Sequence, residues 1–321
     1  MKKATKICII VASSLILAGI IIFVAAMSLV KWDFSRLSTS KIEKEEHEIS
    51  KAYENICIKT DTADIEFVTS ENGTTSVVCL ERENEKHSVR VDNNTLVIEL
   101  ENTKKWYEYI GINFDSTKIT VYLPEAEYGS LSISSDTGDI EIPKDFIFDS
   151  IGISESTGDV VCLASARDNI KIKTSTGDIE LSDLSAAEID LTVSTGDISV
   201  SDVECKGNME INVSTGKSKL NNVKCKSIIS DGDTGDMILT NVIAEEKFSI
   251  ERSTGDVTFD LCDASEIDVE TDTGNVNCLF LTEKVVIYET DTGDVIVPHT
   301  TSGALCEITT DTGDITVKIR E

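Results

Sequence analysis

Carboxylates are the commonest groups in this chain that could do chemistry, and they recur beside a fixed dipeptide. Asp-Thr-Gly begins at Asp136, Asp233, Asp272, Asp291 and Asp311, the tripeptide with which two facing loops place a pair of aspartates to share one proton. Ser156, Ser175, Ser194 and Ser253 take the same place in other copies. Serine and aspartate share hydrogen bonding but not proton transfer, so the position serves a turn and not a protease. One residue after the glycine, Asp139, Asp159, Asp178 and Asp197 form a second series. Stacked at about 4.8 Å their charges would repel, and calcium, a hard cation taking carboxylate oxygens, would relieve that. Screening by water and salt is the alternative. Calcium is therefore the only cofactor these residues suggest. Lys217 and Asn275 occupy the same series, so the ion is not obligatory in their copies.

The remaining chemical groups do not converge. Cys162 and Cys278 stand four residues after a turn glycine, where other copies carry Leu181, Val200, Leu220 and Leu239. Cys205 and Cys225 stand nine after it, aligned with Ala186, Ala244 and Ala264. Such columns describe small buried apolar residues, although stacking would bring Cys205 and Cys225 within bridging range of each other. With no Cys-x-x-Cys pair and no clustering of cysteine with histidine, the sequence predicts no zinc site. Of the three histidines, His47 falls in a charged stretch and His87 in an acidic loop, both read as solvated, and His299 stands apart. A reaction centre needs a convergent acid and base, so the expectation is a protein that is not an enzyme. Trp106, Tyr107 and Tyr109 form an aromatic cluster in a chain that is 5% aromatic. They read either as an anchor for a protein partner or as a cap over apolar surface.

The elements that hold these residues follow from one repeat. Thr-Gly recurs with its glycine at Gly138, Gly158, Gly177, Gly196, Gly216, Gly235, Gly255, Gly274, Gly293 and Gly313, always 19 or 20 residues apart. Constant path length is what a solenoid requires when each coil stacks on the last. Apolar residues alternate on either side of the glycine, as in Ile189, Leu191, Val193 and then Ile198, Val200. Period two means strands. The position two after the glycine is apolar in nine of ten copies, with Ser218 the exception, so it faces inward. The Thr-Gly-Asp step reads as a corner, with a positive φ at glycine and a threonine hydroxyl ladder between coils. The column holding Glu155 and Arg252 reads as outward and too irregular for an ice-binding plane. The predicted fold is an all-β, single-stack β-solenoid with coils of about 19–20 residues and, at about 4.8 Å per coil, a length of roughly 45–50 Å.

An apolar segment precedes the repeat. Lys2, Lys3 and Lys6 lead into an uncharged run from Ile7 to Val30, long enough as a helix to cross roughly 30 Å of hydrocarbon. A cleaved signal peptide is the alternative, but its apolar core usually runs about 7–15 residues. Ile20 stands where a lipoprotein would need its lipid-bearing cysteine. The lysines place the N-terminus inside and the rest outside. The organisation expected is a basic cytoplasmic tail at 1–6, a transmembrane helix at 7–30 and a charged stalk at 31–51, with a short helix over 41–51. An irregular β region at 52–123 follows, widened by loops at Glu81–His87 and Asn102–Phe114, and then the regular solenoid at 124–321. In the irregular region Thr60-Asp61-Thr62-Ala63-Asp64-Ile65 reads as a degenerate copy of the corner. A net charge of −29 repels nucleic acid and anionic lipid headgroups. The membrane is thus reached through the helix alone.

The serial Ser/Asp-Thr-Gly-Asp-Ile/Val motifs, led in by Ile119-Thr-Val-Tyr-Leu-Pro124, resemble the bacterial adhesin-like β-strand-repeat family, domain-of-unknown-function family 4097. The likeness covers about residues 50–321. It implies an envelope-associated protein, in some members linked to envelope stress, and brings no catalytic residues. The function expected is a membrane-anchored, non-enzymatic binding or scaffolding rod whose partner is an envelope protein or glycan. An accessory sensor acting through membrane partners is the alternative, and a surface carbohydrate enzyme a remoter one.

Overall fold

The structure, a computed structural model, describes residues 3–29, 31–32, 41–102 and 116–321. One helix, Lys3–Leu29, leads the chain, and within it Thr5–Leu29 is long and apolar enough to cross a membrane, with a mean hydropathy of 3.0. The hydroxyls of Ser14 and Ser28 turn back onto the carbonyls of Val11 and Val24, each at 2.8 Å. Such bonds satisfy a polar side chain where no water would reach it.

The rest is a β-solenoid. A typical coil contributes three strand segments, for example Ile179–Ser182, Ser185–Ala186 and Glu188–Thr195. Each segment lies in parallel register on its counterpart in the neighbouring coil, as in Ile179 opposite Ile198 and Ile189 opposite Met209. The inward positions alternate as the sequence predicts. The column from Ile140 to Ile315 is buried, Ser218 included, except Val295, which is partly covered. Large rings help to fill the interior: Phe248, Phe259 and Phe280 pack in tilted contact at 5.4 and 5.5 Å between centroids.

Glycine at the corner answers two demands. Its φ lies between +133° and +159° in eight of the ten copies, a region open chiefly to glycine. In all ten, an added Cβ would also overlap backbone of the neighbouring coil, the carbonyl oxygen of its corner residue. A second corner, absent from the sequence reading, lies six residues later. Asp183, Asp202, Asn222, Asn241 and Leu261 all adopt φ of +54° to +57°, where Asp and Asn are the commonest residues after glycine. The Asn241 amide there donates to Asn222 Oδ1 at 3.0 Å.

Coils do not stack strictly in chain order, contrary to the simple solenoid. At the C-terminal end Ala304–Thr312 inserts between Glu266–Thr273 and Lys284–Thr292, so the glycine order is 274, 313, 293. The inserted strand has Cys306, Ile308 and Thr310 fully inside, as a position covered on both sides requires. The displaced coil ends the stack, with Ile287 51% and Ile296 63% exposed. The N-terminal end does the same. Asn55–Lys59 pairs with Glu127–Thr137 on one side and with Thr95–Asn102 on the other. Thr62 bridges Thr137, so the degenerate corner with Ala63 is a true coil of the stack.

Antiparallel strands then close that end. Thr75–Arg82 lies against Lys118–Leu123, and Ile42–Ile49 against Thr75–Arg82. The predicted stalk helix over 41–51 is therefore a strand: its alternating half-buried residues cover an edge that would otherwise leave backbone groups unpaired. Glu81–His87 is likewise not a wide loop but a tight hairpin between Thr75–Arg82 and Glu85–Asp92.

Candidate functional site

Three groupings of polar residues stand out on this scaffold. The first is the file of aspartates after the corner glycines. Each carboxylate accepts the backbone N–H of the equivalent residue in the next coil: Asp139 Oδ1 from Asp159 at 3.0 Å, Asp159 from Asp178 at 2.8 Å, Asp178 from Asp197 at 2.7 Å, and Asp197 from Lys217 at 2.8 Å. Lys217 cannot accept, and its ammonium instead pairs with Asp236 at 2.8 Å, holding that carboxyl below the usual carboxylate range. The file resumes from Asp236 through Asp256 and Asn275 to Asp314 and Asp294. Hydrogen bonds of this kind give each of these carboxylates a partner without any ion. The corner threonines stack in register beside it, as Thr157 does on Thr137 and Thr176. The bond between these corners comes from the backbone, with Gly158 N–H on Thr176 O at 2.9 Å, where a hydroxyl ladder was expected.

The second grouping lies just inside. Glu155 and Arg252, expected to face outward, are 4% and 3% exposed. Period two carries through from Ile153 and Ile250, so the column three before the corner glycine points inward, and the chain turns outward only at the next two residues. Arg252 is accommodated because its neighbour in the column is Gly232, whose missing Cβ leaves room for the guanidinium. Its Nη2 donates to Ser230 Oγ and its Nη1 to the Glu251 carbonyl, both at 2.8 Å. Burial lowers its pKa to about 10, against the opposing pull of Asp231. Glu155 is less well provided: neither carboxylate oxygen has a hydrogen-bond partner, nor does Ser135 Oγ in the same column. Burial, and then the charges of Asp139, Asp64 and Asp159, push its carboxyl up to about 8.

The third grouping sits in the N-terminal cap. Along Thr75–Arg82 the inward residues are Thr75, Val77, Cys79 and Glu81, and the hairpin returns His87 onto the same interior. Cys79 and Glu81 are fully buried and His87 is 6% exposed, so the solvated reading of His87 fails. His87 donates its backbone N–H to Glu81 Oε2 at 2.7 Å, and its Nδ1 lies 2.9 Å from the same oxygen. Nε2 is 3.0 Å from Thr60 Oγ1, on the degenerate corner of the neighbouring coil. The expectation of no clustering between cysteine and histidine is thus overturned. Cys79, Glu81 and His87 are brought together by an antiparallel return that linear spacing does not reveal. The signal available was the alternation Val77, Cys79, Glu81, which continues an apolar face into a carboxylate.

His47 is half-buried on Ile42–Ile49, and its Nε2 lies 3.9 Å from Glu45. Every cysteine is free, Cys205 and Cys225 included, and both of these are buried in the predicted column. The aspartates of the Asp-Thr-Gly steps lie in file along one edge, as their registered threonines require. Trp106, Tyr107 and Tyr109 lie outside the described residues.

Comparison with known proteins bears on this architecture. The family model Toastrack DUF4097 matches residues 53–225 and, overlapping them, 206–321. No curated protein matches the chain. Among solved structures, a candidate lipid-binding protein from Parabacteroides distasonis is 16% identical over 76% of this chain and 98% of its own, with a TM-score of 0.40. A candidate adhesin from Bacteroides fragilis is 16% identical over 87% and 97%, with a TM-score of 0.42. Another from Parabacteroides distasonis is 12% identical over 87% and 98%, with a TM-score of 0.43. Likenesses that distant carry no argument about function; the sequence match, spanning well over half the chain and the whole ladder of corners, shows that the protein belongs to the Toastrack DUF4097 family.

Proposed function

We propose that this chain is a membrane-anchored, extracytoplasmic binding or scaffolding rod of the cell envelope, adhesin-like and without enzymatic activity. The observation that carries the reading is the aspartate file. It displays about one carboxylate per coil along a backbone-bonded ladder, a rigid and repetitive acidic edge suited to display. The apolar helix supplies the anchor, and Lys2, Lys3 and Lys6 at its N-terminal end favour a cytoplasmic N-terminus. A partner is then an envelope protein or glycan met outside the membrane.

Crosslinking with mass spectrometry in intact cells tests this. The expected result is full-length protein retaining residues 1–30, labelled by reagents that do not enter the cell, with crosslinks concentrated on the solenoid. Crosslinks confined to a single membrane protein at Ile7–Val30 would favour the sensor reading instead. Turnover of envelope glycan by the detergent-purified full chain would overturn the non-enzymatic assignment.

A further inference from the structure

Among the described residues, one set of histidine, cysteine and acidic side chains brings three ligand atoms within 4.8 Å of one another: Cys79, Glu81 and His87. We propose that these three residues bind a divalent transition-metal ion of the zinc class, which pins the two strands of the hairpin in the N-terminal cap. The proposal stands apart from the envelope reading above, since it would hold whatever the rod binds.

The donor set supports it first. A thiolate, an imidazole and a carboxylate together suit zinc, whereas calcium and magnesium take oxygen ligands. The second support is an orphan atom. Glu81 is fully buried, its Oε2 is engaged by His87, and its Oε1 has no partner. A buried carboxylate oxygen left without a donor is costly unless a cation or proton meets it. Thirdly, Thr60 is placed to orient the ring. Once an ion takes the Nδ1 lone pair, the ring proton sits on Nε2 and is donated to the Thr60 hydroxyl 3.0 Å away, the arrangement that fixes a ligating histidine. Charge balance is also favourable, because a divalent ion with one thiolate and one carboxylate is neutral, which lowers the cost of burial.

Because the thiolate and not the thiol ligates a metal, binding releases the Cys79 proton to solvent. The three ligands come from the two strands of the cap hairpin, so the ion would join Thr75–Arg82 to Glu85–Asp92, with the neighbouring coil contributing only the Thr60 hydrogen bond to His87 and Glu45 of Ile42–Ile49 paired opposite Cys79.

The test uses the full-length protein in detergent, stripped with a chelator and titrated with zinc or cobalt ions. One equivalent per chain is expected, with a raised melting temperature and, for cobalt, a thiolate-to-metal charge-transfer band. Cys79→Ser should abolish the band and weaken binding at least tenfold, His87→Gln should weaken binding at least tenfold while any complex that still forms keeps the thiolate band, and Thr60→Val should weaken binding by about tenfold. Cys306→Ser, a buried cysteine at the far end, should leave both unchanged. Absence of a stoichiometric ion, or a band that survives Cys79→Ser, overturns the proposal and leaves a hydrogen-bonded histidine–glutamate pair. Should Cys79→Ser not fold, zinc-edge absorption on the wild-type chain decides instead: one sulfur among nitrogen and oxygen ligands supports the site, and a shell without sulfur removes it.

Discussion

Glu155 is the residue at which this interior departs furthest from its own rule. Its neighbours in the column are Ser135 and Thr174, small and neutral, and three aspartates lie close enough to repel it. With a folded-state pKa near 8 and an unfolded value near the ordinary 4.3 or so, the folded chain holds a proton there that the unfolded chain gives up. Stability from this group is therefore greatest below the unfolded value and declines as pH rises toward 8. Glu155→Gln, which keeps the shape and removes the titration, is expected to raise the melting temperature at pH 8 by about 2 °C or more and to flatten its fall between pH 5 and 8. A thermal melt series across that range reads it; an unchanged slope would mean the carboxylate finds a partner when ionised. The corner glycines and the αL residues Asp202 and Asn222 obey the opposite logic. Their type follows from backbone φ.

At the scale of elements, strand order is the feature with a consequence for stability. In a simple solenoid, ending the chain after Val297 would remove only the last coil. Here, among the described residues, Ala304–Thr312 and Ile315–Ile319 are the sole β partners of Lys284–Thr292 and Val295–Ile296. Truncation after Val297 should thus release residues 284–297 as well, while the stack up to Phe280 persists. Limited proteolysis followed by mass spectrometry is expected to show cleavage within 284–297 in the truncated chain and protection in the full one. Lys284 would lose its setting too: it is fully buried, bonded to Asp263 and to Thr282 at 2.7 Å, and lies 5.7 Å from the Phe280 ring centre. The strands themselves were legible from period two and the corner spacing. Their exchange was not, because both 284–292 and 304–312 end in the same Thr-Asp-Thr-Gly corner and carry comparable local patterns.

For the whole molecule, the acidic surface is the property any partner would meet. Many of the cations present are paired across coils, as Lys247 is with Glu266 at 3.0 Å and Asp268 at 3.1 Å, and exposed pairs of this sort add little stability. The carboxylates at the corners already take backbone hydrogen bonds, and among the described residues no three acidic groups bring oxygens within 4.8 Å of one another. Calcium in the millimolar range is therefore expected to leave the melting temperature within about 1 °C of its starting value, since only an ion that binds the folded state raises it. A saturable rise, lost in Asp159→Asn and Asp178→Asn, would restore Asp139, Asp159, Asp178 and Asp197 as a calcium file.

The sequence by itself determined the coil length, the inward columns, the glycine corners and the apolar helix, because each follows from local backbone geometry or from a period that a single chain displays. It also carried enough of the motif to place the chain beside its family. Tertiary structure alone decided which coil lies next to which, that Glu155 and Arg252 point inside, and that Cys79, Glu81 and His87 meet in the cap with Thr60 of the neighbouring coil behind them. Those outcomes depend on strand pairing between segments far apart in the chain. A one-residue choice of face, or an antiparallel return in place of a loop, leaves no periodic trace in the order of residues.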